Sequence, residues 1–304
     1  MSNYRNFVMS IIFVIPFFLL SQLVEAQVNR KICISIDDLP VVSYGIDNKE
    51  EVTKGILSAL KKHKVQAIGY VNAKKLFTDA EVDHTEVGYL KQWLEEGMDI
   101  GNHTYSHKNY HKVPFDEFAK DILDGEKVVK ELVEEYDQKY EFFRHPYLRS
   151  GVDAEQTEKL KDFLKKHNYK EAFVTVDDDD YLFALAYARA FKKEDNALMD
   201  KIGEAYLQYM VEKLMHFEKF SLVLFSRNIN HTLLIHANYL NAQYLDRLLK
   251  LYEDLGYEFI SQEEAVSDPA YETPVTKFGD WGISWIDKWA LSTGKGKELF
   301  KNDP

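Results

Sequence analysis

From Lys31 onward, short apolar runs rich in β-branched residues alternate strictly with longer amphipathic stretches. Parallel strands joined by crossover helices satisfy such a pattern, and few other folds do. Ile32–Ile36, Val65–Val71, Met98–Gly101, Tyr140–Phe143, Glu171–Val176, Thr232–Ile235 and Tyr257–Ile260 read as strands. Between them, Lys49–Lys64, Glu86–Glu96, Phe115–Tyr136, Ala154–His167 and Ala242–Leu255 carry apolar residues at helical spacing. Tyr181–Phe220 reads as two helices with a break near Lys192–Asn196. About seven strands in this order predict an α/β fold, an irregular (β/α) barrel with helices outside.

No internal repeat, Pro/Ser-rich linker or low-complexity tract interrupts the pattern, so residues 27–304 are expected to form a single domain. Residues 1–26 differ in kind. Arg5 precedes the apolar run Phe7–Leu20, and Val24-Glu25-Ala26 offers a cleavage site. The run falls short of the ~20 apolar residues of a spanning helix, so it reads as a secretory signal peptide. The mature chain is then exported, to periplasm or medium, with no stable membrane insertion.

The net charge is −12. An acidic chain gains nothing from counterion release on a phosphate backbone, which argues against a nucleic-acid partner. The single cysteine, Cys33, lies in an apolar run and cannot form an internal disulfide. In the tail, about residues 271–304, Trp281, Trp285 and Trp289 recur every four residues. Helical spacing predicts one face, for packing on the barrel or for stacking a sugar.

Chemistry-bearing residues gather at the predicted C-terminal ends of strands, where β/α folds place their sites. Asp37 and Asp38 end the first strand; pointing different ways, one can hold a metal while the other acts as a base. His103 and His107 share one side if their segment is helical, a zinc-ligand spacing, and His111 is a further candidate. Arg144 follows a buried strand and needs a counter-charge such as Asp37. Pro146 fixes a turn whose N–H groups could face an oxyanion. Asp177–Asp180 suit a solvated helix start, and His236 ends an apolar strand.

Taken together and in this order, these segments resemble the polysaccharide deacetylases of carbohydrate esterase family 4, over roughly Lys31 to Ala265. The resemblance implies that Asp37 is the general base and Asp38 a metal ligand, since Ser35–Asp38 looks like the family's Thr-Phe-Asp-Asp-Gly. His103 and His107 match its His-Ser/Thr-x-x-His and would complete the ligand set for Zn2+ or another divalent transition metal. Arg144, Pro146 and Tyr147 fit Arg-x-Pro-Tyr, with Arg144 paired to the base and the Tyr147 N–H on the oxyanion. Asp177 and Tyr181 fit an Asp followed four residues later by an aromatic, with Asp177 tuning the acid. His236 fits Leu-x-His as the general acid. Leu39 stands where the family has Gly and Tyr181 where it has Trp, which points to an altered groove.

The implied activity is metal-dependent hydrolysis of N-acetyl groups on an amino-sugar glycan such as chitin, peptidoglycan or a capsular polymer. An O-acetyl esterase on xylan and a catalytically silent glycan-binding protein are the alternatives.

Overall fold

The computed structural model describes residues 30–304; the expected signal peptide lies outside them. Nine strands are present among these residues. They are β1 (Lys31–Leu39), β2 (Ile68–Val71), β3 (Phe77–Thr78), β4 (Glu81–Val82), β5 (Asp99–Asn102), β6 (Phe142–Phe143), β7 (Lys170–Glu171), β8 (Asn230–His236) and β9 (Glu258–Phe259). Except for the small β3–β4 hairpin they form one parallel sheet in the order β7-β6-β5-β2-β1-β8, with β9 also on β1. The sheet curls. After β7 the chain crosses to the far edge, where Val176 bridges Leu233 of β8. This crossing is why the expected strand Glu171–Val176 has regular pairing only at its start: it leaves one edge to join the other.

The helices are α1 (Lys49–Lys62), α2 (His84–Glu95), α3 (Phe115–Glu134), α4 (Ala154–Lys166), α5 (Asp180–Phe191), α6 (Asn196–Phe225), α7 (Tyr239–Asp254), α8 (Gln262–Val266), α9 (Trp285–Ser292) and α10 (Gly296–Leu299). Side-chain caps begin several of them: Asp83 on α2, Asp153 on α4 and Asn238 on α7 each accept from backbone N–H groups of the first turn. The expected break before α6 has the same origin, because Asp195 accepts from the Leu198 N–H and starts a new helix there. No helix among the described residues is long and apolar enough to cross a membrane.

The core is continuous from the sheet to the helices. Ile32, Ile34 and Ile36 of β1 are fully buried, as are Ile56 and Leu60 of α1 and Leu245, Leu248 and Leu249 of α7. Cys33 is buried and unpaired, as expected. The tryptophans do not share one helical face, because α9 begins only at Trp285. Trp285 stacks on Phe173 at 4.5 Å and Trp289 lies edge-on to Tyr271 and Phe225, so these two pack the tail against the barrel. Trp281 precedes the helix and covers Gly279.

Candidate active site

β1 runs further than its apolar residues imply and carries Asp37 and Asp38 within the strand. Its parallel register with β8 sets Asp37 directly opposite His236. The ladder with β2 becomes irregular after Ile36, and Asp38 takes a left-handed backbone, φ 70°. A carboxylate residue pays for that conformation with strain. Lys75 holds it, donating from Nζ to the Asp38 carbonyl at 2.6 Å. Asp37 and Asp38 both line one cavity of about 760 Å3, shared with His103, His107, Tyr147, Asp177, Tyr181 and His236, and both come within 3.8 Å of His103 Nε2. A larger hollow, about 1030 Å3, lies at the start of α1 and is lined largely by surface charge, with no histidine.

His103 and His107 converge without a helix. Thr104 and His107 have positive φ, and the turn between them is tied by Asn102 Oδ1 to the Thr104 N–H and by Thr104 Oγ1 to the His107 N–H. The two rings lie 4.8 Å apart. Ligand atoms of Asp38, His103 and His107 all fall within 4.8 Å of one another. Asp38 Oδ1 is buried with no hydrogen-bond partner, 3.8 Å from His103 Nε2 and 3.7 Å from His107 Nε2. His103 Nδ1 faces the Arg144 carbonyl at 2.8 Å, which fixes the tautomer that leaves Nε2 free. Burial holds both imidazoles below their ordinary pKa and so neutral. Burial opposes ionisation of Asp38, but nearby positive charge, first of all that of Lys75, outweighs it and holds the carboxyl at about 2. Two neutral imidazoles and a carboxylate around an orphaned oxygen suit a divalent metal ion.

α3 presses this loop from behind. A Cβ on Gly125 would lie 2.7 Å from the Thr104 carbonyl carbon. Gly125→Ala is therefore expected to displace the histidine loop and weaken metal binding roughly 10-fold, the scale of lost ligand support. Competition with a chromophoric chelator reads this directly; unchanged affinity would show that the loop yields without cost.

Arg144 is fully buried. Its Nη1 lies 3.4 Å from Asp37 Oδ1, an ion-pair distance without hydrogen-bond geometry, while Nη2 donates to Ser35 Oγ at 2.8 Å. Its guanidinium also stacks over Tyr70 at 4.5 Å. Burial raises the Asp37 carboxyl to about 6, with Arg144 and His236 limiting the rise. His111 stands apart from the candidate metal ligands: Nδ1 faces Asp280 and Nε2 accepts from the Gly151 N–H. His145 pairs with Glu171 at 2.9 Å. Tyr147 is 54% exposed, with its ring on His107.

The assignment of Asp177 is corrected by the geometry. His236 Nδ1 faces Asp180 Oδ1 at 2.6 Å, and the His236 N–H donates to Asp180 Oδ2. Asn238 and Asn241 donate to the same Oδ2, and Tyr206 holds Asn241. Asp180 opens α5 and is turned inward, whereas Asp177 sits in the cavity wall and accepts from the Asp178 N–H. Burial lowers the His236 pKa, but the charge and hydrogen bond of Asp180 overcome it, and the imidazole is raised to about 10. Burial also raises Asp177, to about 7.

The family model described as polysaccharide deacetylase matches residues 25–172, from β1 through β7. The matched half of the chain is similar to the polysaccharide deacetylase family. Its candidate metal site of Asp38, His103 and His107 lies within the matched residues; His236 and Asp180 lie beyond them. A peptidoglycan N-acetylglucosamine deacetylase of Bacillus cereus is 33% identical over 122 residues, 39% of this chain and 37% of that protein. PgdA of Listeria monocytogenes, with the same description, is 30% identical over 105 residues, 34% of this chain and 19% of that protein. This chain thus matches well under half the length of either relative. Among solved structures, the Bc1960 peptidoglycan N-acetylglucosamine deacetylase superposes with a TM-score of 0.51 at 20% identity, covering 78% of this chain and 88% of that one. A mutant of BA3943, a family 4 pseudoenzyme, superposes equally well, TM-score 0.51 at 18% identity over 78% and 67%. These likenesses establish the curled parallel α/β fold of the deacetylases.

Proposed function

We propose that this protein hydrolyses N-acetyl groups on an amino-sugar glycan with a zinc ion held by Asp38, His103 and His107. The observation that carries the reading is the convergence of Asp37, the three ligands and His236 in one cavity. Fold likeness alone would not suffice, since a pseudoenzyme shares it.

Zinc in that site would supply Lewis acidity, polarising the acetyl carbonyl and making water a stronger nucleophile. Asp37 takes the proton of the attacking water at its carboxylate, which Arg144 keeps ionised and oriented. The Tyr147 N–H, with no acceptor against it among the described residues, faces the developing oxyanion. His236, held protonated by Asp180, gives its proton to the departing amine nitrogen. An amine leaves poorly without it. Tyr147 and Tyr181 offer exposed ring faces beside the site, suited to sugar rings.

The apolar run Phe7–Leu20 supports export, which fits a cell-wall or extracellular glycan substrate. Acetate release from chitooligosaccharide and peptidoglycan, compared with acetylxylan, tests the substrate class. Release from the amino sugars supports the proposal, and release from acetylxylan alone replaces it with an O-acetyl esterase.

A further inference from the structure

Tyr147 and Leu148 are consecutive non-glycine residues in the left-handed region, φ 58° and 53°. Two such residues in succession cost of order 1–3 kcal/mol each and persist only where the surroundings impose them. The imposing surroundings come from the far end of the chain. The Tyr147 carbonyl lies where a Cβ of Gly282 would be, 1.9 Å from that position, so only glycine lets the two backbones meet. The Leu148 carbonyl accepts from Lys288 Nζ at 2.9 Å, and the same ammonium reaches Ser150 Oγ at 3.2 Å. Asp280 pairs with Arg149 at 3.3 Å and with His111 and Lys112 of the preceding loop. The Trp285 ring lies against His145, and the Trp285 backbone N–H donates to the Val174 carbonyl.

Lys288 is buried, and its ammonium sits over the Trp285 ring at 3.5 Å. A lysine taken out of water in this way is costly unless its donors are engaged. Here they engage the backbone of the loop after β6. Gly282 itself lines the catalytic cavity. The segment 280–288 lies outside the residues matched by the family model.

We infer that the C-terminal segment 280–288 is a clamp, with Gly282 and Lys288 as positioning residues that hold the Tyr147 N–H where it meets the oxyanion. The inference rests on the deacetylase reading for its catalytic consequence, but the contacts of Gly282 and Lys288 with the loop do not depend on it. Neither residue has a side chain that takes part in the chemical step. Each acts through the left-handed turn at Tyr147–Leu148, and a displacement of about 1 Å there is worth up to ~10²-fold in rate.

The test compares wild type, Gly282→Ala and Lys288→Met by hydrogen–deuterium exchange over residues 146–151 and 103–107, with kcat, KM and zinc affinity. The clamp predicts faster exchange in 146–151 alone. It also predicts a kcat lowered ~10–100-fold, with KM and zinc affinity within about twofold of wild type. Gly282 is exposed, so its variant remains informative if the buried Lys288→Met fails to fold. Unchanged exchange in 146–151, or faster exchange with undiminished kcat, overturns the inference. A wild-type protein that releases no acetate sinks the deacetylase reading instead, and the exchange comparison then decides the clamp by itself.

Discussion

Asp180→Asn is expected to lower turnover by ~10²–10⁴-fold, the usual worth of a positioned acid–base partner, whereas Asp177→Asn should change it by less than about tenfold. The contrast follows from geometry. Asp180 spends both oxygens on His236: Oδ1 faces Nδ1 at 2.6 Å and Oδ2 accepts from the backbone N–H. An amide in its place removes the charge that raises the imidazole to about 10 and leaves the ring largely neutral at pH 7. The protonated acid that the proposed mechanism needs for the leaving amine is then scarce, and the alkaline limb of the kcat/KM profile should move to lower pH. Stability should change with pH in the corresponding sense. The folded His236 pKa lies above its unfolded value near 6.5. The pair therefore stabilises fully below about pH 6.5 and loses that contribution as pH rises through about 10. Removing Asp180 should cost roughly 3 kcal/mol at neutral pH, the low end for a buried pair because the His236 side chain is 22% exposed. Thermal melts of both variants at pH 7 and pH 10 check this: the gap between them should narrow at the higher pH.

Asp37→Asn should be comparably severe in rate, ~10²–10⁴-fold in kcat, with metal binding retained. The amide matches the carboxylate in shape but cannot accept the proton of water. Zinc affinity should hold because the three ligand atoms of Asp38, His103 and His107 do not include Asp37. Arg144, fully buried, loses the counter-charge 3.4 Å away, so a lower Tm should accompany the loss of rate. In the wild type, Asp37 is raised to about 6 by burial, and in its proposed role as base it works only when ionised. Activity should therefore fall as pH drops through about 6, or lower still with a bound cation, which favours the carboxylate. That acid limb should vanish from the residual activity of Asp37→Asn. Its persistence would assign the limb to another group.

The two ends of the site differed in how legible they were. Asp37 and Asp38 stand out because ionised residues ending an apolar strand have no packing role, and His236 ends another apolar strand for which the parallel register makes it a neighbour. Which of four consecutive aspartates faces that histidine could not be read from the sequence. The answer depends on where α5 begins, since Asp180 is its first residue and is turned inward while Asp177 is not. The signal available was the helix start itself, with Asn238 and Asn241 downstream of His236 as its hydrogen-bond partners. His103 and His107 converge by a route that their i, i+4 spacing does not show: left-handed turns at Thr104 and His107, not a helix, bring the rings together. Lys75, Gly282 and Lys288 carry no local pattern at all. Their roles come from contacts with backbone carbonyls distant in sequence, which only the folded chain reveals.

Acetate release from N-acetylglucosamine oligomers by metal-stripped protein titrated with zinc tests the proposed metal-dependent deacetylation. No release is expected without metal, activity should rise until one zinc is bound per chain, and Asp38→Ala should show neither binding nor release. Release that is indifferent to chelation and to Asp38, or no release from a protein that has bound its zinc, would contradict the proposal.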